Sequence, residues 1–185
     1  DNPAVDGDTI LGVEGDPSIV WTLTRPVNQK QAKVDGVEVN LQHNFGDSGY
    51  GFIANATFAS ADVGYDNTNS LEGQFVLNGL SDSANLIGFY DKNKLQVRLA
   101  YNWRDDFLAG VGQGQGTTTN PTNVKAYGQL DVGITYQATE RLTVYFSGLN
   151  VTESTVHVYG LTQDQVLQAV QGGARYDIGL RYSFR

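Results

Sequence analysis

Few side chains in this sequence are of types that do covalent or metal chemistry, and their surroundings decide what each is for. The two histidines, His43 and His157, are the only imidazoles, and there is no cysteine. Cysteine nucleophiles, thiolate zinc sites and disulfides are therefore excluded, and two histidines cannot build a three-histidine metal centre. His43, with an Asp or Ser partner, could act as the base of a membrane hydrolase. It falls instead on an apolar strand face beside Phe45, where an interfacial histidine is the expected role. His157 stands near Glu153 and Ser154 and reads as polarity at the base of a loop. Asp62, Asp66, Asn67 and Asn69 offer carboxylate and amide oxygens of the kind Ca²⁺ takes. They lack the glycine and distal Glu of an EF-hand, so an ordinary polar loop is expected. The Gly-rich run 112–116 does not lead from a strand into a helix and is no nucleotide loop. Asn55-Ala56-Thr57 and Asn150-Val151-Thr152 match the glycosylation pattern but fall within expected strands. No nucleophile–base pair can be placed from spacing. No catalytic residue, metal ligand or cofactor site is expected, and the protein reads as a non-enzyme.

The elements that position these groups are strands. Of 185 residues, 40% are hydrophobic and only 17% charged, with 22 Gly and ten Tyr. Period-two alternation is clearest in Leu95, Val97, Leu99, Tyr101 and Trp103, interleaved with Gln96, Arg98, Ala100, Asn102 and Arg104. It recurs at 37–45, 129–136 and 175–184, and more weakly at 50–58, 84–90 and 142–158, where Gly148-Leu149-Asn150 interrupts it. Ser18–Thr24 offers an eighth strand. Short turns fall at 46–49, 91–94 and 138–141, and long polar loops at 65–82, 109–124, 159–172 and 1–17. Within 109–124 the Gly and Thr run brings no packing residues, so a mobile loop is expected. The only helical candidate is Thr162–Gln171, inside a loop.

Composition narrows the class further. Twelve basic against twenty acidic residues give a net charge of −8, which disfavours nucleic acid and anionic surfaces as partners. The longest apolar run is three residues, such as Ile19-Val20-Trp21, against the ~20 that a membrane-spanning helix needs. The start, Asp1-Asn2-Pro3-Ala4, has no signal-peptide character, and the lack of Met implies a mature product or a fragment.

Alternation alone does not say whether the apolar face meets a second sheet or lipid. Three features favour lipid. Phe45, Tyr50, Tyr90, Tyr136, Tyr182 and Phe184 gather beside the short turns, where an interfacial aromatic girdle would lie. Outward aromatics recur eight residues apart, as in Tyr50 and Phe58, which at ~3.3 Å per residue and a tilt near 40° span roughly 20 Å. The opposite positions carry Arg98, Arg104, Asp131, Arg175, Asp177 and Arg181, suited to a wet lumen with charges paired across strands. The expected fold is all-β: seven or eight antiparallel, up-and-down transmembrane β-barrel strands with short periplasmic turns and long extracellular loops.

The residues also carry a resemblance. Val34-Asp35-Gly36-Val37-Glu38-Val39 with Ala54-Asn55-Ala56-Thr57-Phe58, the run Leu95–Arg104, and Ser147-Gly148-Leu149-Asn150-Val151-Thr152 resemble the late barrel strands of TonB-dependent outer-membrane receptors. The close, Gly172-Gly173-Ala174-Arg175-Tyr176-Asp177-Ile178-Gly179-Leu180-Arg181-Tyr182-Ser183-Phe184, is similar to the terminal strand that such receptors present to the barrel-assembly machinery. Arg185 departs from the family's habit of ending on the aromatic. The resemblance spans about 18–185, with 1–17 a leading segment or extracellular loop, and includes no plug domain. A 22-stranded barrel at ~10 residues per strand needs roughly 220 residues, so the chain would be the C-terminal part of such a barrel.

The resemblance implies TonB-dependent uptake of a nutrient too large for porins, in the outer membrane of a Gram-negative bacterium. The style of Asn85–Lys92 and of the loops favours a carbohydrate over a siderophore. Implied partners are outer-membrane lipid, the remaining strands and plug, the inner-membrane energy complex, the assembly machinery, and a small-molecule or oligosaccharide ligand. The expected ligand-binding residues are Arg104, Tyr127 and Tyr159: a guanidinium for polar groups and phenol faces for stacking on a sugar ring. Each also has a structural role open to it, a lumenal ion pair for Arg104 and girdle positions for the tyrosines. Two other classes stay open. One is a self-contained eight-stranded outer-membrane barrel acting as an adhesin or structural protein. The other is a soluble carbohydrate-binding β-sandwich.

Overall fold

In the computed structural model, residues 30–69, 74–111 and 121–184 are described. The proposed leading segment 1–17 and the candidate strand Ser18–Thr24 lie outside them, as does most of the Gly-rich stretch of 109–124. From Ala32 onward the described residues belong to one compact unit.

Eleven strands follow one another: β1 (Val34–Asn44), β2 (Tyr50–Ala61), β3 (Ser83–Lys92), β4 (Leu95–Arg104), β5 (Phe107–Gly110), β6 (Thr122–Val124), β7 (Tyr127–Gln137), β8 (Leu142–Leu149), β9 (Thr155–Tyr159), β10 (Val166–Gln171) and β11 (Arg175–Tyr182). They form two antiparallel sheets. The larger has the order β1-β2-β3-β4-β7-β8-β11, and the smaller β10-β9-β6-β5. The larger sheet is the expected up-and-down meander. Its order skips numbers only because two of its long connections, β4 to β7 and β8 to β11, contain the strands of the smaller sheet. Among the described residues β1 and β11 are its edges and do not pair with each other.

Register explains why this wall has two distinct faces. Directly paired residues in an antiparallel sheet share a face. One transverse row runs Leu41, Ala54, Leu86, Tyr101, Leu130, and another Leu95, Tyr136, Val144, Leu180. Every apolar alternation read from the sequence falls on this one face, and a slip of one residue in any strand would break it. The opposite face carries Asn40, Asn55, Asn85, Asn102 and Gln129 in a single row, then Arg98, Gly133, Ser147 and Asp177 lower down. No second sheet covers the apolar face among the described residues: Val37 is 62% exposed, Leu180 69% and Ile178 78%. A soluble sandwich would bury these rows, because each Leu or Val withdrawn from water contributes about 1.5–3 kcal/mol.

The short turns lie together at one end. At Phe45–Gly49 a single 3₁₀ turn closes on Gly49, whose φ of 85° and approach to Lys92, 2.6 Å from where a Cβ would sit, both require glycine. Asn93 and Lys94, with φ of 54° and 66°, make a two-residue turn with both residues left-handed, the hand that matches strand twist. The girdle aromatics are at this end. Tyr50 and Tyr90 rings stand 4.7 Å apart, and Tyr182 and Phe184 4.8 Å. His43 packs 4.8 Å from Phe45, edge to face.

At the other end the stretch 142–158 breaks at Gly148-Leu149-Asn150, where the alternation is interrupted: β8 stops at Leu149, Asn150 turns left-handed (φ 52°), and β9 enters the second sheet. Three other features there depart from expectation. Asn150-Val151-Thr152 therefore lies in a turn, while Asn55-Ala56-Thr57 lies in β2 as expected. Thr162–Gln171 forms no helix, since Val166–Gln171 is β10. The ends of 109–124 do pack: Pro121 is fully buried and Val124 buried.

Candidate functional site

The two connections that make the smaller sheet meet because β6 pairs with β9, Asn123 opposite Tyr159 and Val124 opposite Val158. Side chains then fasten this rim tier to the wall below. Asp106, just after β4, receives three donors. The Ala126 N–H donates to Oδ1, while the Tyr159 hydroxyl (3.1 Å) and Gln163 Nε2 (2.9 Å) donate to Oδ2. One carboxylate thereby joins both connections. Burial, then the hydrogen bond to the Asp106 carboxylate and its charge, push the Tyr159 phenol above its ordinary value of 10.0.

Arg104 ends β4 on the polar face, paired with Ser83 on one side and Tyr127 on the other. Its Nε donates to Ser81 Oγ (2.8 Å), its Nη2 donates to the Gly79 carbonyl, and the guanidinium carbon lies 3.8 Å from the centre of the Phe107 ring. Asp82 continues the tie, accepting the Ala59 N–H on Oδ1 (3.0 Å) and the Asp105 N–H on its carbonyl (3.0 Å). Arg104 is thus a clamp on the loop ahead of β3 as well as a rim cation.

Asn150 anchors the second connection. Its N–H donates to Asp131 Oδ1 (2.8 Å), its Oδ1 accepts the Ser154 N–H (2.9 Å), and Nδ2 reaches the Gly173 carbonyl (3.3 Å). Ser154 Oγ donates to the Gly128 carbonyl.

The three expected ligand residues are therefore at the same end. Arg104 and Tyr127 are register neighbours, and Tyr159 joins them through Asp106, whose Ala126 donor precedes Tyr127 in the chain. The Tyr159 hydroxyl is engaged, so its ring rather than its oxygen remains for a ligand. Tyr127 is half-buried and its side chain forms no hydrogen bond among the described residues. Asp106, Asp82 and Gln163 escaped notice in the sequence, and Asn150 stood out only as an interruption of the alternation and a glycosylation-pattern match. The one signal for Asp106 is the acidic pair Asp105-Asp106 directly after an inward Arg at a strand end.

The other candidates separate. Asp66 Oδ1 accepts the Thr68 hydroxyl (2.6 Å) and N–H (2.8 Å), which hold its carboxyl below the ordinary 3.8. Asp62 Oδ1 instead accepts the Lys33 N–H (2.8 Å) from across the β1–β2 end, and Asn67 Nδ2 reaches the Leu161 carbonyl (3.5 Å), so the acid–amide group is spent on separate partners. No metal-holding group of His, Asp and Glu occurs among the described residues. The charge pairing expected across the wall is also not seen. Lys33–Asp35, at 2.9 Å and exposed, is the one ion pair among the described residues, and Asp131 accepts from Gln129 Nε2 (2.8 Å) instead.

A family model described as TonB dependent receptor-like, beta-barrel, matches residues 1–151, which is more than half of the chain. No curated protein and no solved structure matches.

Proposed function

The chain belongs to the TonB dependent receptor-like β-barrel family, and from that premise we propose that it carries the late barrel strands and part of the ligand-capturing rim of a nutrient receptor. Members of this family are ligand-binding transporters set in the lipid of the Gram-negative outer membrane, not enzymes. The observation that carries the reading is the two-faced wall: seven strands in one register, with the alternating apolar rows on one side and, on the other, amides and charges together with Ile53, Ile87 and Phe89. Such a sheet satisfies its backbone through the ladder while offering hydrocarbon to lipid and polar groups to a lumen.

In this reading residues 18–185 supply C-terminal strands, and 1–17 leads into them. The remaining strands and a plug complete the receptor, and the inner-membrane energy complex drives it through that plug. The assembly machinery engages the terminal strand around β11. The ligand meets the rim at Arg104, Tyr127 and Tyr159. The cargo is a nutrient too large for porins, and a carbohydrate is favoured over a siderophore.

The test is fractionation of native cells with an antibody against 109–124, followed by intact mass and uptake. The expected result is an outer-membrane protein several times the mass of this chain, whose Tyr127→Ala form takes up its nutrient more slowly. A protein of this chain's mass in that fraction would favour a small self-contained barrel, and a soluble protein would overturn the lipid-facing assignment.

A further inference from the structure

We infer that the free edge of β10 is a docking surface for an extended polypeptide segment, the extracellular continuation of the barrel strand that pairs with β11 in the same receptor. The inference goes beyond the proposed function but rests on its statement that further strands complete the barrel.

The rim tier is the wall carried upward. Its order, β5-β6-β9-β10, follows that of the wall strands to which each is joined, β4-β7-β8-β11. Two residues separate β4 from β5 and β6 from β7, five separate β8 from β9, and three separate β10 from β11. Arg104 pairs with Tyr127, and Phe107 with Val124 continues the same register. The last strand of the tier and the last strand of the wall therefore end their sheets on the same side.

The two edges of the tier differ. At β5 the Gly79 N–H donates to the Leu108 carbonyl (2.8 Å), and Arg104 holds the Gly79 carbonyl. That cover is the connection leading into β3, the wall strand beside β4. β10 pairs with β9 alone among the described residues. All six of its residues are exposed, Val166 at 58%, whereas β5, β6 and β9 are mostly half-buried or buried. Val166-Leu167-Gln168-Ala169-Val170-Gln171 contains no charge and no Pro, the residues that keep a solvent-facing edge from pairing. Its one irregularity, the shift between Val166 and Gln168, leaves 168–171 regular.

Topology selects the occupant. β11 runs from the rim toward the short turns, so its antiparallel partner runs toward the rim and leaves the membrane beside β10. Neighbouring strands lie only ~4.8 Å apart, which puts that segment within pairing distance of β10. Main-chain hydrogen bonds along the edge would hold it, with Leu167 and Val170 covered by its side chains. A second copy of the receptor, or a separate protein, would have to displace it. The arrangement at β5, where the connection of the next wall strand covers the tier, then recurs at β10.

The test puts p-benzoylphenylalanine in place of Leu167 or Ala169 in the whole receptor, irradiates outer membranes and identifies the joined peptides by mass spectrometry. The same label in place of Ala109, on β5, is the positive control and should join residues 74–82. The expected result is a cross-link within one receptor molecule, to the rim end of the strand beside β11. Amide exchange of the unlabelled receptor, read residue by residue, should protect successive amides of 168–171, since β9 alone holds only every second one.

A product of twice the receptor's mass, a product with another protein, or no product from β10 when Ala109 reacts would overturn the inference. So would exchange that protects only alternate amides. If the labelled receptors fail to assemble, exchange in the unlabelled one decides. A cross-link to residues before Val34 would uphold the inference while showing that this chain closes its own barrel, so that the receptor reading alone would fall.

Discussion

The seven-stranded wall and the four-stranded rim tier are both antiparallel β-sheet, yet they are held by different forces. The wall repeats one rule: an unbroken backbone ladder, an apolar side chain at every second position, and few side-chain bonds beyond amide pairs such as Asn40–Asn55. The tier has short strands with shifts of register at Val166/Gln168 and Leu108/Gly110. It is fixed by side chains reaching backbone groups at distant points of the chain: Asp106 to Ala126, Arg104 to Gly79, Asn150 to Gly173. The wall is thus stable through its solvent, and the tier through a few specific residues. A wall of this kind tolerates any outward apolar side chain, whereas the tier is sensitive to single polar ones.

Lysine substitution should break the comparison most forcefully. Leu99→Lys, midway along β4 on the apolar face, is expected to cost about 2–4 kcal/mol in the membrane, seen as loss of protease-resistant assembled barrel. Gln96→Lys, on the other face of the same strand, should stay within about 0.5 kcal/mol of the parent, since lysine can still reach Asp91.

Next comes the hub of the tier. Asp106→Ala strands three donors, and the expected local loss is about 2 kcal/mol, or roughly thirtyfold faster amide exchange in β5, β6 and β9. Hydrogen-exchange mass spectrometry should find β2, β3 and β7 unchanged, so equal acceleration in both sheets would erase the distinction drawn between them.

Tyr159 provides a smaller and pH-dependent effect. Its folded pKa is raised, so its stabilising contribution is fully present below 10.0 and is lost as pH rises through the raised value. Tyr159→Phe should cost about 1 kcal/mol at neutral pH and remove one tyrosine that titrates above 10.0 from the ultraviolet titration of the receptor. The smallest effect belongs to the wall's own turn. Lys94→Gly relieves a left-handed lysine, partly offset by glycine's entropy, for a net gain of about 0.5 kcal/mol in thermal unfolding.

The contrast also explains what could be read in advance. Leu95–Arg104 and Arg175–Tyr182 were legible because a strand between oil and water must alternate at period two. The tier was not, because its elements are decided by distant partners. Val166, Ala169 and Val170 have the three- and four-residue spacing of a helix face, yet pairing with β9 makes them a strand. The candidates Arg104, Tyr127 and Tyr159 were found from inward position and closeness to the rim. Asp106, which ties Tyr159 to the residue before Tyr127, could not be found that way, because its partners lie 20, 53 and 57 positions away.

The central claim is that the apolar face meets lipid and the polar face meets water. Because the chain has no cysteine, single cysteines at Gln96, Val97, Arg98 and Leu99, and at Gln129, Leu130, Asp131 and Val132, can each carry a nitroxide in the native outer membrane. Collision with molecular oxygen, which dissolves in hydrocarbon, should peak at 97, 99, 130 and 132, and collision with a water-soluble nickel chelate at the positions between. The opposite phase, or no alternation at all, would contradict the account.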